Sequence, residues 1–317
     1  MNTSLGSKIS LLKVRAHFLY KVRAFFYQRA VLEVDCPALS LTAPIDRHID
    51  VMKVDVGLGK SGYLHTSPEY GMKRLLSCGI GDIYQMSHVF RQEEVGPLHN
   101  PEFMMIEWYR VGFSFEALIQ ETLELLSLFL GTLRCTTMTY RTALLHFLNI
   151  DYVACSVKDL VALAHTHQLG LPQEALLWDK DTLLQLLMSA LVEPQLGVGE
   201  VFVLTHFPAM QAALSKVERK EKGEEVGLRF EIYAQGIELA NGYEELTDAA
   251  EQEKRLKEAN ALRIHAGKES LPLDEHFLEA LRVGLPACCG VAVGFDRLLQ
   301  LHLNLNSIHP VLPLQYE

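Results

Sequence analysis

The sequence lacks what a cysteine-based or membrane-based architecture needs. Its six cysteines contain no CxxC pair, although Cys288 and Cys289 are adjacent. The thirteen histidines, His165 and His167 among them, have no cysteine partners nearby. These absences argue against a zinc site or a disulfide framework, and for buried thiols in a reducing compartment. The N-terminus has no apolar core of the kind a signal peptide carries. The longest apolar runs, such as 183–192, are too short or too interrupted to span a bilayer. A soluble cytoplasmic protein is the expectation. Positive charge is also scarce: 29 Lys and Arg stand against 39 Asp and Glu, a net charge of −10. A tight, sequence-blind grip on nucleic acid is therefore not expected, because phosphate binding rests on clustered Lys and Arg. A local basic patch remains open.

What is present suits a globular protein with a sizeable core, since 49% of the 317 residues are hydrophobic. Leu11, Val14, Phe18, Val22, Phe25 and Phe26 recur at helical spacing and predict an amphipathic helix running to about Ala30. Residues 70–78 read as a helix closed by Gly79. Two apolar runs, 82–90 and 103–109, read as antiparallel strands around a polar loop. Residues 115–130 are helical, and several helices with polar joints fill 140–192. A strand at 201–205 precedes the densely charged segment 216–225, which is expected to be a mobile, solvated loop. A strand pair spans 228–241. Helices follow at 248–266 and 275–283, and the strand 291–294 feeds a last helix from Phe295 to about Leu303. The sequence shows no internal repeat and no linker. Helices interspersed with hairpin-like strands favour an α+β fold, an antiparallel sheet with helices packed on it.

Three stretches carry chemistry. The loop Phe90-Arg91-Gln92-Glu93-Glu94 and His99-Asn100-Pro101-Glu102-Phe103 offers an arginine for a phosphate, a backbone for an adenine edge and Phe103 for its face. Glu231 and Glu238 lie seven positions apart in a strand pair. If Ala234 and Gln235 form a two-residue turn, the two glutamates stand opposite each other; a four-residue loop keeps that register and a three-residue loop breaks it. Directly opposed carboxylates repel unless a cation bridges them, and hard oxygen donors beside phosphates suit Mg2+. The alternative is two strand glutamates facing water. The third stretch is Gly290-Val291-Ala292-Val293-Gly294-Phe295-Asp296-Arg297, a small-residue strand that enters a helix and lets a ligand approach closely.

In this order and at these separations, the stretches resemble motifs 2 and 3 of the class II aminoacyl-tRNA synthetases, most closely the lysyl enzymes. Arg29-Ala30-Val31-Leu32-Glu33-Val34-Asp35-Cys36-Pro37 resembles motif 1, which forms the dimer interface in that class, with Ala30 where glycine is usual. Gln92 and Pro97-Leu98 depart from the usual motif 2 loop. The resemblance covers nearly the whole chain and implies one catalytic domain over residues 1–317 and a homodimer. Motif 1 begins at Arg29, which leaves no room for an anticodon-binding barrel before it. The pattern is similar to truncated lysyl-synthetase paralogues that attach (R)-β-lysine to a lysine of elongation factor P. Thr66-Ser67-Pro68-Glu69-Tyr70, Glu107-Trp108-Tyr109-Arg110, Glu238-Leu239-Ala240-Asn241-Gly242 and Ala292 all look like that family.

The resemblance implies ATP and Mg2+ as cofactors and an aminoacyl-adenylate as the intermediate. It implies Arg91 and Arg297 as the catalytic arginines. Gln92, Glu93, His99, Asn100, Phe103, Glu238, Leu239 and Gly294 would join them around ATP, with Glu231 and Glu238 on the metal. It implies Ser67, Pro68, Glu69, Glu107, Tyr109, Asn241, Glu245 and Ala292 around the amino acid. Elongation factor P would be the acceptor, with no membrane contact and no stable tRNA binding. Two other readings stay open: a minimal lysine-activating enzyme, and a non-catalytic regulatory paralogue. The second should have lost charged site residues, yet both arginines and the glutamates are present.

Overall fold

The computed structural model describes residues 5–132, 134–220 and 223–314. In chain order the first half contains α1 (Leu5–Gln28), β1 (Leu32–Glu33), β2 (Leu39–Ser40), β3 (Met52–Gly57), β4 (Lys60–Leu64), α2 (Glu69–Ser77), β5 (Ile83–Phe90), β6 (Glu102–Val111), α3 (Phe115–Leu130), β7 (Cys135–Thr139), α4 (Tyr140–Leu148) and α5 (Val157–Thr166). Then come α6 (Lys180–Leu187), β8 (Val201–Pro208), β9 (Val217–Arg219), β10 (Glu225–Ala234), β11 (Ile237–Glu244), α7 (Ala249–His265), α8 (Glu275–Gly284), β12 (Cys288–Gly294) and α9 (Phe295–His302). Packing divides the described residues into two compact units, one within Met1–Gly131 and Glu245–Glu317, the other within Thr132–Glu244.

In the first unit β5 pairs antiparallel with β6, and β6 with β12; β1 adds a short parallel edge to β5. A smaller sheet joins β2, β4 and β3. The core is aromatic: Phe26 stacks on Tyr84 at 4.2 Å, Phe18 on Phe129 at 4.4 Å, and Tyr70 on Phe277 at 4.2 Å. Phe18, Val22, Phe25 and Phe26 are all buried, so the expected apolar stripe of α1 faces this core. The end of α1 is a Schellman turn, with Val31 N–H donating to Phe26 O and Ala30 N–H to Tyr27 O, both at 3.1 Å. That turn puts Ala30 at φ 54°, a left-handed conformation that suits glycine. The Ala30 departure noted in motif 1 thus falls on a strained position.

In the second unit β7 runs parallel to β8, and β8, β10 and β11 are antiparallel neighbours. α4, α5 and α6 pack their leucines into one cluster with Tyr140, Phe202 and Phe207. Ser156 and Asp159 form a reciprocal capping box that starts α5. The sheets are mixed rather than purely antiparallel, because β1 and β7 each return to a distant strand in parallel. The segment 216–225, expected as a loop, is partly ordered: β9 pairs with β10, Val217 opposite Gly227 and Arg219 opposite Glu225. Its alternating charges project from a short strand whose backbone is paired. Glu221 and Lys222 of that segment lie outside the described residues. Among the described residues no helix is long and apolar enough to cross a membrane.

Candidate active site

The β5–β6 hairpin fixes the first constellation. Arg91 N–H donates to Pro101 O at 2.9 Å, and Gln92 N–H to Asp50 O at 2.9 Å, which closes the loop at its base. Gly96 and His99 form an isolated bridge near its tip. Asn100 Nδ2 donates to Glu102 O at 2.6 Å. The Arg91 guanidinium lies 5.0 Å from the centre of the Phe103 ring, and its Nη1 is 3.5 Å from Glu94 Oε1. Its Nε is buried without a hydrogen-bond partner. Gln92, Glu93 and His99 are exposed. Arg297 projects from the first turn of α9 and meets the same loop, with Nη2 3.0 Å from His99 Nε2 and Nε donating to Leu98 O at 3.4 Å. Partial desolvation of the ring by the surrounding loop, then the charge of Arg297, lowers the His99 pKa although the residue as a whole is exposed. The neighbouring Asp296 anchors α9: it pairs with Arg15 and accepts from Met104 N at 2.7 Å. Gly294 stands opposite Met105 where β12 enters α9. The expected nucleotide residues of this unit are thus gathered on one hairpin and one helix start.

The second constellation is a buried acid pocket in the same unit. Pro68 caps α2, and Ser67 Oγ accepts from Glu69 N at 3.1 Å while donating to Glu107 Oε2 at 2.6 Å. Tyr109 O–H donates to Glu107 Oε1 at 2.7 Å. Ala292 stands opposite Glu107 across β12 and β6, and Gly290 opposite Tyr109, so all four share one face of the sheet. Burial, then the charge of Glu69, pushes the Glu107 carboxyl up to about 7 against the two hydroxyl hydrogen bonds and Lys73. Glu245 is almost fully buried, its Oε2 lies 2.6 Å from Lys73 Nζ, and its Oε1 accepts no hydrogen bond.

Lys73 and Gly290 were not anticipated. Lys73 Nζ is 2.5 Å from Glu69 Oε1 as well, and its side chain is 1% exposed. Burial presses the lysine towards neutrality, but Glu245 and Glu69 outweigh it and hold its pKa well above the ordinary range. The only signal in the sequence is the Glu69–Lys73 spacing of four, which ordinarily marks a solvent-exposed helix pair. Gly290 makes room for the pocket: a Cβ there would lie 2.3 Å from Tyr109 Cε1 and 2.5 Å from Glu245 Oε1. The sequence presents that glycine as part of a nucleotide strand, and the structure uses it as clearance behind two pocket side chains.

The second unit holds Glu231, Glu238, Leu239 and Asn241, and here one expectation is corrected. Glu231 does not stand opposite Glu238. The turn falls one residue later, at Gln235-Gly236, with φ 53° and 72°. A type I′ turn needs positive φ at both central residues, which glycine supplies at the second and alanine resists at the first. Leu239 then forms a bulge, so Tyr233 faces Glu238 while Glu231 faces Asn241. The two carboxylates still share a face, because Glu238 pairs with Tyr233, which lies two residues from Glu231 on the same side of β10. Glu231 is buried, bonded to Arg229 and, at 2.5 Å, to the Tyr233 hydroxyl, which rules out the water-facing alternative for it. Asn241 Oδ1 is buried without a hydrogen-bond partner. Glu193 joins this face unannounced by any motif. Burial, then the charges of Glu231 and Glu238, push its carboxyl up to about 7. Among the described residues, no three Asp, Glu, His or Cys side chains form a metal-ligating group.

The arrangement provides cations for an anionic ligand at the hairpin and anions for a cationic ligand at the pocket. Comparison with known proteins identifies the family. Residues 6–315 match the family model for class II tRNA synthetases (D, K and N). The chain is 44% identical to the elongation factor P–(R)-β-lysine ligase of Vibrio cholerae, over 96% of this chain and 95% of that one. It is 40% identical to the proteins of the same name from Hamiltonella defensa and Pasteurella multocida, over 100% of this chain and 98% of each of them. The chain belongs to the class II tRNA synthetase family of the D, K and N type and, within it, groups with these elongation factor P–(R)-β-lysine ligases.

Proposed function

We propose that the chain is an ATP-dependent ligase that activates (R)-β-lysine as its adenylate and passes it to a lysine side chain of elongation factor P. The observation that carries this reading is the pocket of three glutamates, Glu107 and Glu245 buried and Glu69 half-buried, around the buried Lys73. Burial holds Glu107 and Glu245 towards the protonated form; once a cationic ligand draws all three carboxylates into the ionised form, they and one ammonium leave two negative charges, a match for a substrate with two ammonium groups. The names of the relatives supply the amino acid and the acceptor.

In the first step a substrate carboxylate oxygen bonds to the α-phosphorus of ATP and pyrophosphate leaves. In the second, the acceptor amine bonds to the acyl carbon, loses a proton, and AMP leaves. The protein orients reactants and spreads charge rather than forming bonds itself. Arg91 neutralises the α-phosphate, and Arg297 exchanges His99 for the outer phosphates. Phe103 stacks on adenine, with Gln92, Glu93, His99 and Asn100 around it and the Gly294 backbone as a further contact. Glu69 takes the ammonium nearer the reacting carboxylate. Glu107, Tyr109 and Glu245 take the distal one, and Ser67, Pro68 and Ala292 complete the contacts of this unit.

Glu238 and the partnerless Asn241 Oδ1 are hard oxygen donors on one sheet face, and Glu231 would join them by giving up Arg229 or the Tyr233 hydroxyl, a set that would suit Mg2+ held by one or two carboxylates together with phosphate. When bound, the ion neutralises charge on the departing pyrophosphate. A homodimer through α1 and β1 is part of the proposal, supported by the exposed Tyr20, Tyr27 and Leu32 (71%, 85% and 52%). So are a cytoplasmic setting and the absence of stable tRNA binding. The test is ATP–pyrophosphate exchange with a panel of α- and β-amino acids. Exchange fastest with (R)-β-lysine supports the reading; preference for α-lysine returns it to a minimal lysine-activating enzyme, and no exchange to a non-catalytic paralogue.

A further inference from the structure

We infer that Lys73 is a positioning residue for the amine pocket: it holds Glu69 and Glu245 together and offsets one of the three negative charges that the ionised glutamates carry, so that the ligand-bound pocket is balanced by two ammonium groups rather than one or three. The inference rests on the proposed role of Glu69, Glu107 and Glu245. Lys73 is placed for the task by α2, one turn beyond Glu69, with Nζ 2.5 Å from Glu69 and 2.6 Å from Glu245. A buried ammonium is costly to desolvate unless paired. An apolar residue would pack the same site without that cost, but would leave two carboxylates facing each other.

The remaining demand for positive charge is localised. Glu107 is bonded only by the neutral hydroxyls of Ser67 and Tyr109, and Glu245 Oε1 accepts no hydrogen bond. Glu245 Oε1 is a buried polar atom that a ligand ammonium would satisfy, and the same ammonium would add a charged partner to Glu107. Asp274 acts on Tyr70 and Arg74 on Cys36, one step removed from the cluster, and four further titratable groups facing it carry no charge at neutral pH. They are Tyr70 on α2, Tyr109 on β6, Cys288 on β12 and Cys36 before β2, and burial pushes all four upward. Lys73 is therefore the internal cation that sets the balance. A substrate with one ammonium leaves a second buried carboxyl to be neutralised by a proton instead of by an ion pair.

The test measures ATP–pyrophosphate exchange by Lys73→Met, Lys73→Arg and Glu245→Gln across pH 6–9.5, with (R)-β-lysine and ATP varied separately. Lys73→Met is expected to raise the KM for (R)-β-lysine roughly tenfold or more and leave that for ATP unchanged. Its acid limb in kcat/KM should move up by about one pH unit, because carboxylates that lose a neighbouring cation protonate at higher pH. Lys73→Arg keeps the charge, so its acid limb should stay in place while KM rises. A Lys73→Met protein with unchanged KM and acid limb overturns the inference. If circular dichroism shows that Lys73→Met does not fold, Lys73→Arg decides, and a displaced acid limb there overturns it. Glu245→Gln separates the two levels. Unchanged KM for (R)-β-lysine in that variant removes the pocket reading, and the role of Lys73 with it; a raised KM beside an indifferent Lys73→Met removes Lys73 alone.

Discussion

Glu107 destabilises the ligand-free protein because it is buried among other acids, and that cost sets a pH dependence. Its carboxyl sits at about 7 against an ordinary 4.5, so the folded chain binds its proton more tightly than the unfolded chain does. Stability from this group is greatest below the unfolded value and declines as pH rises from about 4.5 to about 7, with no further loss above. The gap corresponds to ~3 kcal/mol. Glu107→Gln is therefore expected to unfold at higher denaturant than the parent at pH 8 and to converge with it near pH 4.5, while losing exchange activity. Urea titrations at the two pH values check this; equal midpoints at pH 8 would contradict the burial argument. Ala292 gives a second residue-scale expectation. It is half-buried directly opposite Glu107, so Ala292→Gly should shift kcat/KM from (R)-β-lysine towards α-lysine by the ~1–3 kcal/mol that one methyl at a pocket wall commands. An unchanged ratio places discrimination elsewhere. The candidate acids and arginines are legible in the sequence because their motifs specify residue types. Lys73 is not, since spacing alone cannot distinguish a buried helix pair from an exposed one.

At the scale of elements, the turns are where the sequence reading slipped. The β10–β11 hairpin and its two-residue turn are plain in residues 228–241, but the choice between Ala234-Gln235 and Gln235-Gly236 depends on which pair tolerates positive φ. The Leu239 bulge then depends on tertiary packing that no local pattern reports. The β9 strand was hidden for a similar reason: its charges read as solvated, and its backbone pairing with β10 is non-local. Helices were easier, and 115–130 coincides with α3, which Ser114 caps through its side chain. The α1 terminus offers a test. Ala30 occupies the left-handed position of the Schellman turn at φ 54°. Ala30→Gly should relieve that strain and stabilise the protein by ~0.5–1 kcal/mol, after the greater entropy of unfolded glycine is deducted. The urea midpoint should rise without a change in slope. A fall would mean that the turn is not strained.

For the whole molecule, the question is which acceptor receives the activated amino acid. A net charge of −10 gives a polyanionic tRNA little general attraction, so any acceptor must be held by local contacts near the catalytic residues. A small protein presenting one lysine meets that requirement. The direct measurement is mass spectrometry of elongation factor P after incubation with the purified enzyme, ATP, Mg2+ and (R)-β-lysine, with acyl-tRNA assayed in parallel. The expected result is one added lysyl mass on a single lysine of elongation factor P and negligible acyl-tRNA. Efficient charging of bulk tRNA, with elongation factor P unmodified, would contradict it.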